Sequence, residues 1–224
     1  MEVIKGGKIM LYIAVIGDLV HSKQIQSRSL VQESLKTCLD QLNHDFSSYI
    51  VSNLSVTLGD EFQGLLTNDA PVFQLIDLIN QAMTGYPVRF GIGQGTILTD
   101  INPDISIGAD GPAYWRAREA IHYIHQKNDY GNTQVAIRTD KEHKDLVLNS
   151  LLAAGEAIKA SWRASQLEVF HALLDLGIYE EQFDQQLIGD TLDLQSSALS
   201  KRLKSSSVKV YLRSRHAALT YLQE

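Results

Sequence analysis

Residues 50–67, IVSNLSVTLGDEFQGLLT, constrain the fold more than any other stretch of the chain. Apolar and polar residues alternate on both sides of Gly59-Asp60, with Leu54, Val56 and Leu58 on one arm and Phe62 on the other. Two alternating arms joined by a Gly-Asp pair predict a β-hairpin with a tight turn. What flanks the hairpin sets the rest of the architecture. Before it, YIAVIGD reads as a buried strand rich in β-branched residues that ends in Gly17-Asp18. From Ser29 onward, Val31, Leu35, Cys38, Leu42 and Phe46 recur at helical spacing, behind serines suited to capping the start. After the hairpin, Pro71 opens a second helix whose stripe is Val72, Leu75, Ile76, Ile79 and Met83. Residues 87–97 return to strand. The order β-α-β-β-α-β predicts a ferredoxin-like α+β fold, an antiparallel sheet backed by helices. A third helix over 112–126, a short strand from Thr133 and a long helix from Lys141 follow. No strand pattern appears after Ala160, so the chain divides into an α+β domain, 10–159, and an all-helical domain, 160–224.

With 224 residues, 44% of them hydrophobic, the chain can bury a substantial core. No run approaches the eighteen apolar residues of a membrane span, and the early apolar stretch stops at Gly17-Asp18 without a small-residue cleavage site. This reads as a first strand, preceded by an untethered leader over residues 1–9, in a protein that is soluble and cytoplasmic and has no membrane partner. The single cysteine, Cys38, excludes an internal disulfide framework and a cysteine-based zinc cluster, and its place on the apolar face of a helix makes it buried filler. The net charge of −6 is unevenly spread. Between Leu194 and His216 stand Lys201, Arg202, Lys204, Lys209, Arg213 and Arg215, with no acid among them.

In a sheet of this order the first strand lies beside the hairpin, which brings Asp18 and Asp60 to one edge. Hard oxygen ligands of this kind suit Mg²⁺, with water and substrate phosphates completing the coordination, and a pair of such ions would clamp a phosphoryl transfer. Gly17-Asp18 and Gly59-Asp60 are equally suited to ordinary turns. Gly91, Gly93 and Gly95 alternate on one face of their strand, either for close helix-on-sheet packing or for approach of a ligand to the backbone. Arg116 and Arg118 would meet phosphate or form a solvated, salt-bridged face. His122 and His125 read as an exposed pair.

The segment Gly59-Asp60-Glu61-Phe62 between apolar strands resembles the hairpin of the GGDEF diguanylate cyclases and of the class III nucleotidyl cyclases. Asp18-Leu19-Val20 after a buried strand is similar to their first metal-binding aspartate, and VRFGIGQGT to the strand that follows. The resemblance implies Mg²⁺ or Mn²⁺ at Asp18, Asp60 and Glu61, and a nucleotide near Gly59, Arg116 and Arg118. Two departures stand out: Tyr114 occupies the place of the transition-state Asn, four residues before Arg118, and Leu58 that of the first glycine of the diguanylate cyclases. The pattern as a whole, GDLVHSK early, TLGDEFQGLL in the middle and a basic helical tail, most resembles the SatD family, for which it implies no established reaction.

In the tail, IGDTLDLQSSALSKRL follows a helix-turn-helix pattern. Ile188, Leu192, Leu194, Leu199 and Leu203 supply core positions, while Ser196, Ser197, Ser200, Lys201, Arg202 and Lys204 form the face that would meet double-stranded DNA. Asp193 stands where a glycine is usual, and Asp tolerates a left-handed turn. The preceding segment from Trp162 to Phe170 resembles the supporting helix of sigma-factor-like domains. The alternative for the tail is a helical bundle serving dimerisation. These readings lead to a homodimeric DNA-binding transcriptional regulator with a nucleotide- or metal-sensing cyclase-like domain. Their alternative is a metal-dependent nucleotidyl-transfer enzyme with a C-terminal dimerisation domain.

Overall fold

In the computed structural model, which describes all residues except 1–3, 6–7, 23–24, 26, 58 and 127–130, the expected leader contains a small hairpin. Its strands, β1 (Ile4–Lys5) and β2 (Lys8–Ile9), pair with each other, apart from the main sheet. Then follow β3 (Tyr12–Leu19), α1 (Arg28–Asp45), β4 (Ile50–Val56), β5 (Glu61–Thr67), α2 (Val72–Ala82), β6 (Val88–Gly95), α3 (Pro112–His125), β7 (Val135–Arg138) and α4 (Glu142–Ala160). The five-stranded sheet runs β4-β5-β3-β6-β7, antiparallel except for the parallel pair β6 and β7. Strand β3, the earliest of the five, is the central one.

The two faces of β3 follow its alternation. Ile13, Val15 and Leu19 enter a core with Phe62, Phe90, Ile92 and the stripes of α1 and α2, among them Leu35, Leu39, Phe73 and Ile76. Phe62 and Phe90 meet edge to face, with ring centroids 6.1 Å apart. Ala14, Ile16 and Leu65 face the other way, under Ala113, Tyr114 and Ala117 of α3. The glycine stripe of β6 is what lets α3 lie there: a Cβ on Gly93 would stand 2.0 Å from Ala113 O, and one on Gly91 2.3 Å from Ala117 O. The helix rests on bare backbone, so the close-packing reading of these glycines holds.

After α4 come α5 (Ala164–Asp175), α6 (Gln185–Thr191), α7 (Ser196–Ser206) and α8 (Val208–Gln223). Trp162, Phe170, Leu173, Ile188, Leu199 and Tyr211 build a second core, in which the rings of Trp162, Phe170 and Tyr211 lie 5.0–5.4 Å apart. Helix α8 also returns to the sheet. Ala218 and Leu222 complete the main core, and the Leu222 carbonyl accepts from Gln94 Nε2 at 2.7 Å and Lys144 Nζ at 2.8 Å.

Where α2, α4 and α8 meet, Asp77 is buried. Lys159 Nζ stands 2.5 Å from its Oδ1, and the hydroxyls of Tyr179 and Tyr211 donate to its Oδ2 at 2.5 and 2.7 Å. Arg215 belongs to this layer rather than to the basic surface on which its charge suggested it: it is 2% exposed and pairs with Glu156. No helix among the described residues is long and apolar enough to cross a membrane.

Candidate functional site

At one end of the sheet the ladder places Asp18 opposite Glu61 on one side and Arg89 on the other. Residues directly opposite in a ladder share a face, so these three stand in a row on the α3 side. The last residue of α3 completes the group. His125 Nε2 lies 3.0 Å from Asp18 Oδ2, and Arg89 Nη1 lies 3.6 Å from the same oxygen. Asp18 Oδ1 is buried with no hydrogen-bond partner, a condition that costs about 1–3 kcal/mol. Thr57 Oγ1 donates to Glu61 Oε1 at 3.2 Å.

Asp60 is bound elsewhere. Gly59 turns the chain at φ 69°, a conformation that a glycine adopts without steric cost, and its carbonyl accepts from Gln32 of α1. The Asp60 carbonyl accepts from Leu19 N at 3.0 Å, so the backbones touch. Its carboxylate, however, takes the Ser22 hydroxyl and an ion pair with Arg28 at 3.7 Å. Asp18 and Asp60 are therefore backbone neighbours that hold separate sets of partners. Each already faces a cationic side chain, and among the described residues no group of three or more His, Cys, Asp or Glu is placed to hold a metal ion. As arranged, these residues do not form an ion site.

Arg116 and Arg118 lie in the first half of α3. Arg116 Nη1 donates to the Gln94 carbonyl at 2.7 Å, and Arg118 pairs with Asp110 at 3.4 Å over the Tyr114 ring. Arg118 is about 10 Å along the helix from His125 at a rise of ~1.5 Å per residue. The structure thus keeps the arginines and the carboxylates apart within one chain. Tyr114 is wholly buried, and burial pushes its hydroxyl well above the usual phenol range. Two residues that belong with Asp18 have no site role in the sequence reading: Arg89, and His125, which it takes as half of an exposed pair. His125 carried a signal in its HxxH spacing, but His122 turns to Gln126 instead.

In the tail, α6 and α7 are joined by a turn in which Asp193 takes φ 50°, and Leu194 N donates to the Gly189 carbonyl at 2.8 Å. The Asp184 side chain caps α6, accepting from Gln186 N at 2.8 Å. Leu199 and Leu203 of α7 are buried, whereas Ser196, Ser197, Ser200, Lys201 and Lys204 are exposed. Arg202 binds Glu168 at 2.5 Å, Arg213 binds Glu181 at 2.8 Å, and Lys209 lies 4.9 Å over the Phe183 ring. The acid-free stretch is thus partly neutralised by acids from elsewhere, and Lys201 and Lys204 are its lysines without an ionic or ring partner among the described residues.

Fold and site together define a mixed α+β protein, an open five-stranded sheet covered by helices on both faces and continued by a helical tail. A family model described as the SatD family matches residues 12–222, and the chain belongs to that family. Among solved structures, one described as the structure of a bacterial light-regulated adenylyl cyclase is similar, at 10% identity and a TM-score of 0.42, over 56% of this chain and 74% of that one. No curated protein matches.

Proposed function

We propose that the protein is a cytoplasmic, homodimeric DNA-binding regulator: α6 and α7 act as a helix-turn-helix on double-stranded DNA, and the ferredoxin-like, cyclase-like sheet domain senses a nucleotide. The observation that carries this reading is the outward face of α7. Ser196, Ser197, Ser200, Lys201 and Lys204 are exposed on one helix whose opposite side is anchored by Leu199 and Leu203. The lysines supply phosphate contacts and salt-dependent affinity, and the serines reach base edges. The test is fluorescence anisotropy with duplexes selected from genomic DNA, at several salt concentrations. Wild type should bind with a salt-dependent affinity, and neutralising Lys201 and Lys204 together should flatten the slope of log affinity against log salt by about two units. Absence of salt-sensitive binding to any duplex, with and without nucleotide, overturns it.

The second reading, a nucleotidyl-transfer enzyme whose tail dimerises it, is favoured by the unpartnered Asp18 Oδ1 in line with Glu61. Turnover of ATP or GTP in the presence of Mg²⁺, without DNA binding, would put it first.

A further inference from the structure

Beside Asp18, at the starts of β6 and β7 and the end of α3, the surface encloses a cavity of about 320 Å³. Its walls include Val20, Pro87 and Ile124, and its polar groups include His21, Arg89 and Gln134. Two of these are incomplete. Gln134 Nε2 donates to the Gly131 carbonyl at 3.1 Å, but its Oε1 is buried with no partner. Arg89 makes no hydrogen bond through its guanidinium among the described residues, and its contact with Asp18, at 3.6 Å, is longer than a hydrogen bond. They are also neighbours. Phe90 pairs with Val135 in the parallel ladder, so Arg89 and Gln134, each one residue earlier, stand side by side about 5 Å apart on the same face of the sheet.

We propose that this cavity binds the base of a nucleotide, the Arg89 guanidinium donating to a ring-nitrogen or carbonyl acceptor and Gln134 Oε1 accepting from the adjacent N–H. A nucleobase edge presents such an acceptor and donor side by side, and a planar ring fits between apolar walls formed by Val20, Pro87 and Ile124. The volume is at the lower end of small-ligand pockets, enough for a base and sugar. The orphaned oxygen explains the selectivity: a ligand lacking the N–H leaves a buried acceptor unsatisfied, whereas a base satisfies it. The inference rests on the nucleotide-sensing half of the proposed function and assigns the place and chemistry of recognition. It does not depend on α7.

The experiment is calorimetric titration of the full chain with AMP, GMP, CMP and UMP, and with ribose 5-phosphate, which carries the anion without the base. At least one nucleotide should bind, with ribose 5-phosphate about tenfold weaker or more. Gln134→Leu and Arg89→Lys should each weaken the nucleotide by about tenfold, while salt-dependent duplex binding by the same variants in the absence of nucleotide is unchanged. Hydrogen exchange on the wild type, which needs no variant to fold, should slow at residues 88–92 and 134–137 when the nucleotide is saturating. Binding of ribose 5-phosphate as tight as the nucleotide overturns the proposal, as does nucleotide binding insensitive to both substitutions or protection confined to other segments. Failure of every nucleotide to bind, in a protein that still binds DNA, removes both this pocket and the sensing half while leaving the DNA-binding half standing.

Discussion

Asp77 on α2 and Asp18 on β3 are both carboxylates drawn out of solvent, Asp77 to 1% exposure and the Asp18 side chain to 18%, and the protein treats them in opposite ways. Around Asp77 both carboxylate oxygens are used, by Lys159, Tyr179 and Tyr211, and Arg215, paired with Glu156 through one nitrogen, keeps its Nε and Nη1 buried without a hydrogen-bond partner. Around Asp18 one oxygen has no partner, the nearest guanidinium stands off at 3.6 Å, and a half-lined cavity lies alongside. A buried carboxylate whose oxygens are both used holds helices together; one left with an orphaned oxygen beside a cavity costs stability and persists where something else completes it.

The sharpest way to break this contrast is to remove each carboxylate. Asp77→Ala leaves Lys159 without its partner in the packed layer between α2, α4 and α8, and should cost about 3–5 kcal/mol. Asp18→Asn, which keeps the shape and leaves Arg89 and His125 in place, should cost less than about 1 kcal/mol. Urea denaturation measures both, and equal losses would erase the distinction. The acid limb of stability tests the same cluster. Burial alone would raise the Asp77 carboxyl, but the Lys159 and Arg215 charges and the hydrogen bonds from Lys159 and Tyr179 hold it below the usual carboxylate value. A lowered folded value means that the stabilisation is complete above the unfolded pKa, about 3.9, and is lost as pH falls through the folded one. Wild type should therefore lose stability below pH ~4 along a steeper curve than Asp77→Asn, measured by urea midpoints from acid to neutral pH.

Cys38 is a third case, half-buried on α1 rather than the buried filler its apolar helix face suggested, and an ionisable group with no counter-charge. Burial pushes its thiol up to about 11. Iodoacetamide at pH ~8 should modify it about a hundredfold more slowly in the native protein than in urea, and comparable rates would show that α1 opens readily. The smallest effect expected is on α7, where the contrast recurs between free and paired cations. Neutralising Lys201 should lower the DNA salt slope by about one unit, whereas neutralising Arg202, which is already held by Glu168 at 2.5 Å, should change it by less than half of that. Equal changes would mean that the Glu168 pair opens on DNA.

Much of the fold could be read in the sequence because it depends on local pattern. The hairpin, the order of helices and strands up to α4, and the left-handed Asp193 all follow from alternation, 3.6-residue spacing and turn chemistry. The site was less legible, since it depends on register. A pairing shifted by one residue at Gly59-Asp60 would turn Asp60 toward α3 instead of Glu61, and only the ladder puts Arg89 across from Asp18. Gln134 gave no signal, because its orphaned oxygen is a property of packing. Arg215 was legible but overruled by its residue type. Tyr211, Arg215, Ala218 and Leu222 recur every three or four residues, the spacing of one buried helical face, and all four are buried.

The position of β3 also governs how fast the chain reaches this arrangement. Tyr12 must find both Thr67 and Gly95, so the central strand waits for partners synthesised long after it. The β4–β5 hairpin can close locally within about 1–10 μs, but seating β3 requires closing far longer loops, at an entropic cost that is offset only once β5, and then β6, pair with it. Until then Ile13, Val15 and Ile16 form an unpaired, β-branched strand, the kind of segment that neighbouring chains capture. The kinetic hazard of this protein is thus concentrated in a strand that is among the most protected once folding is complete.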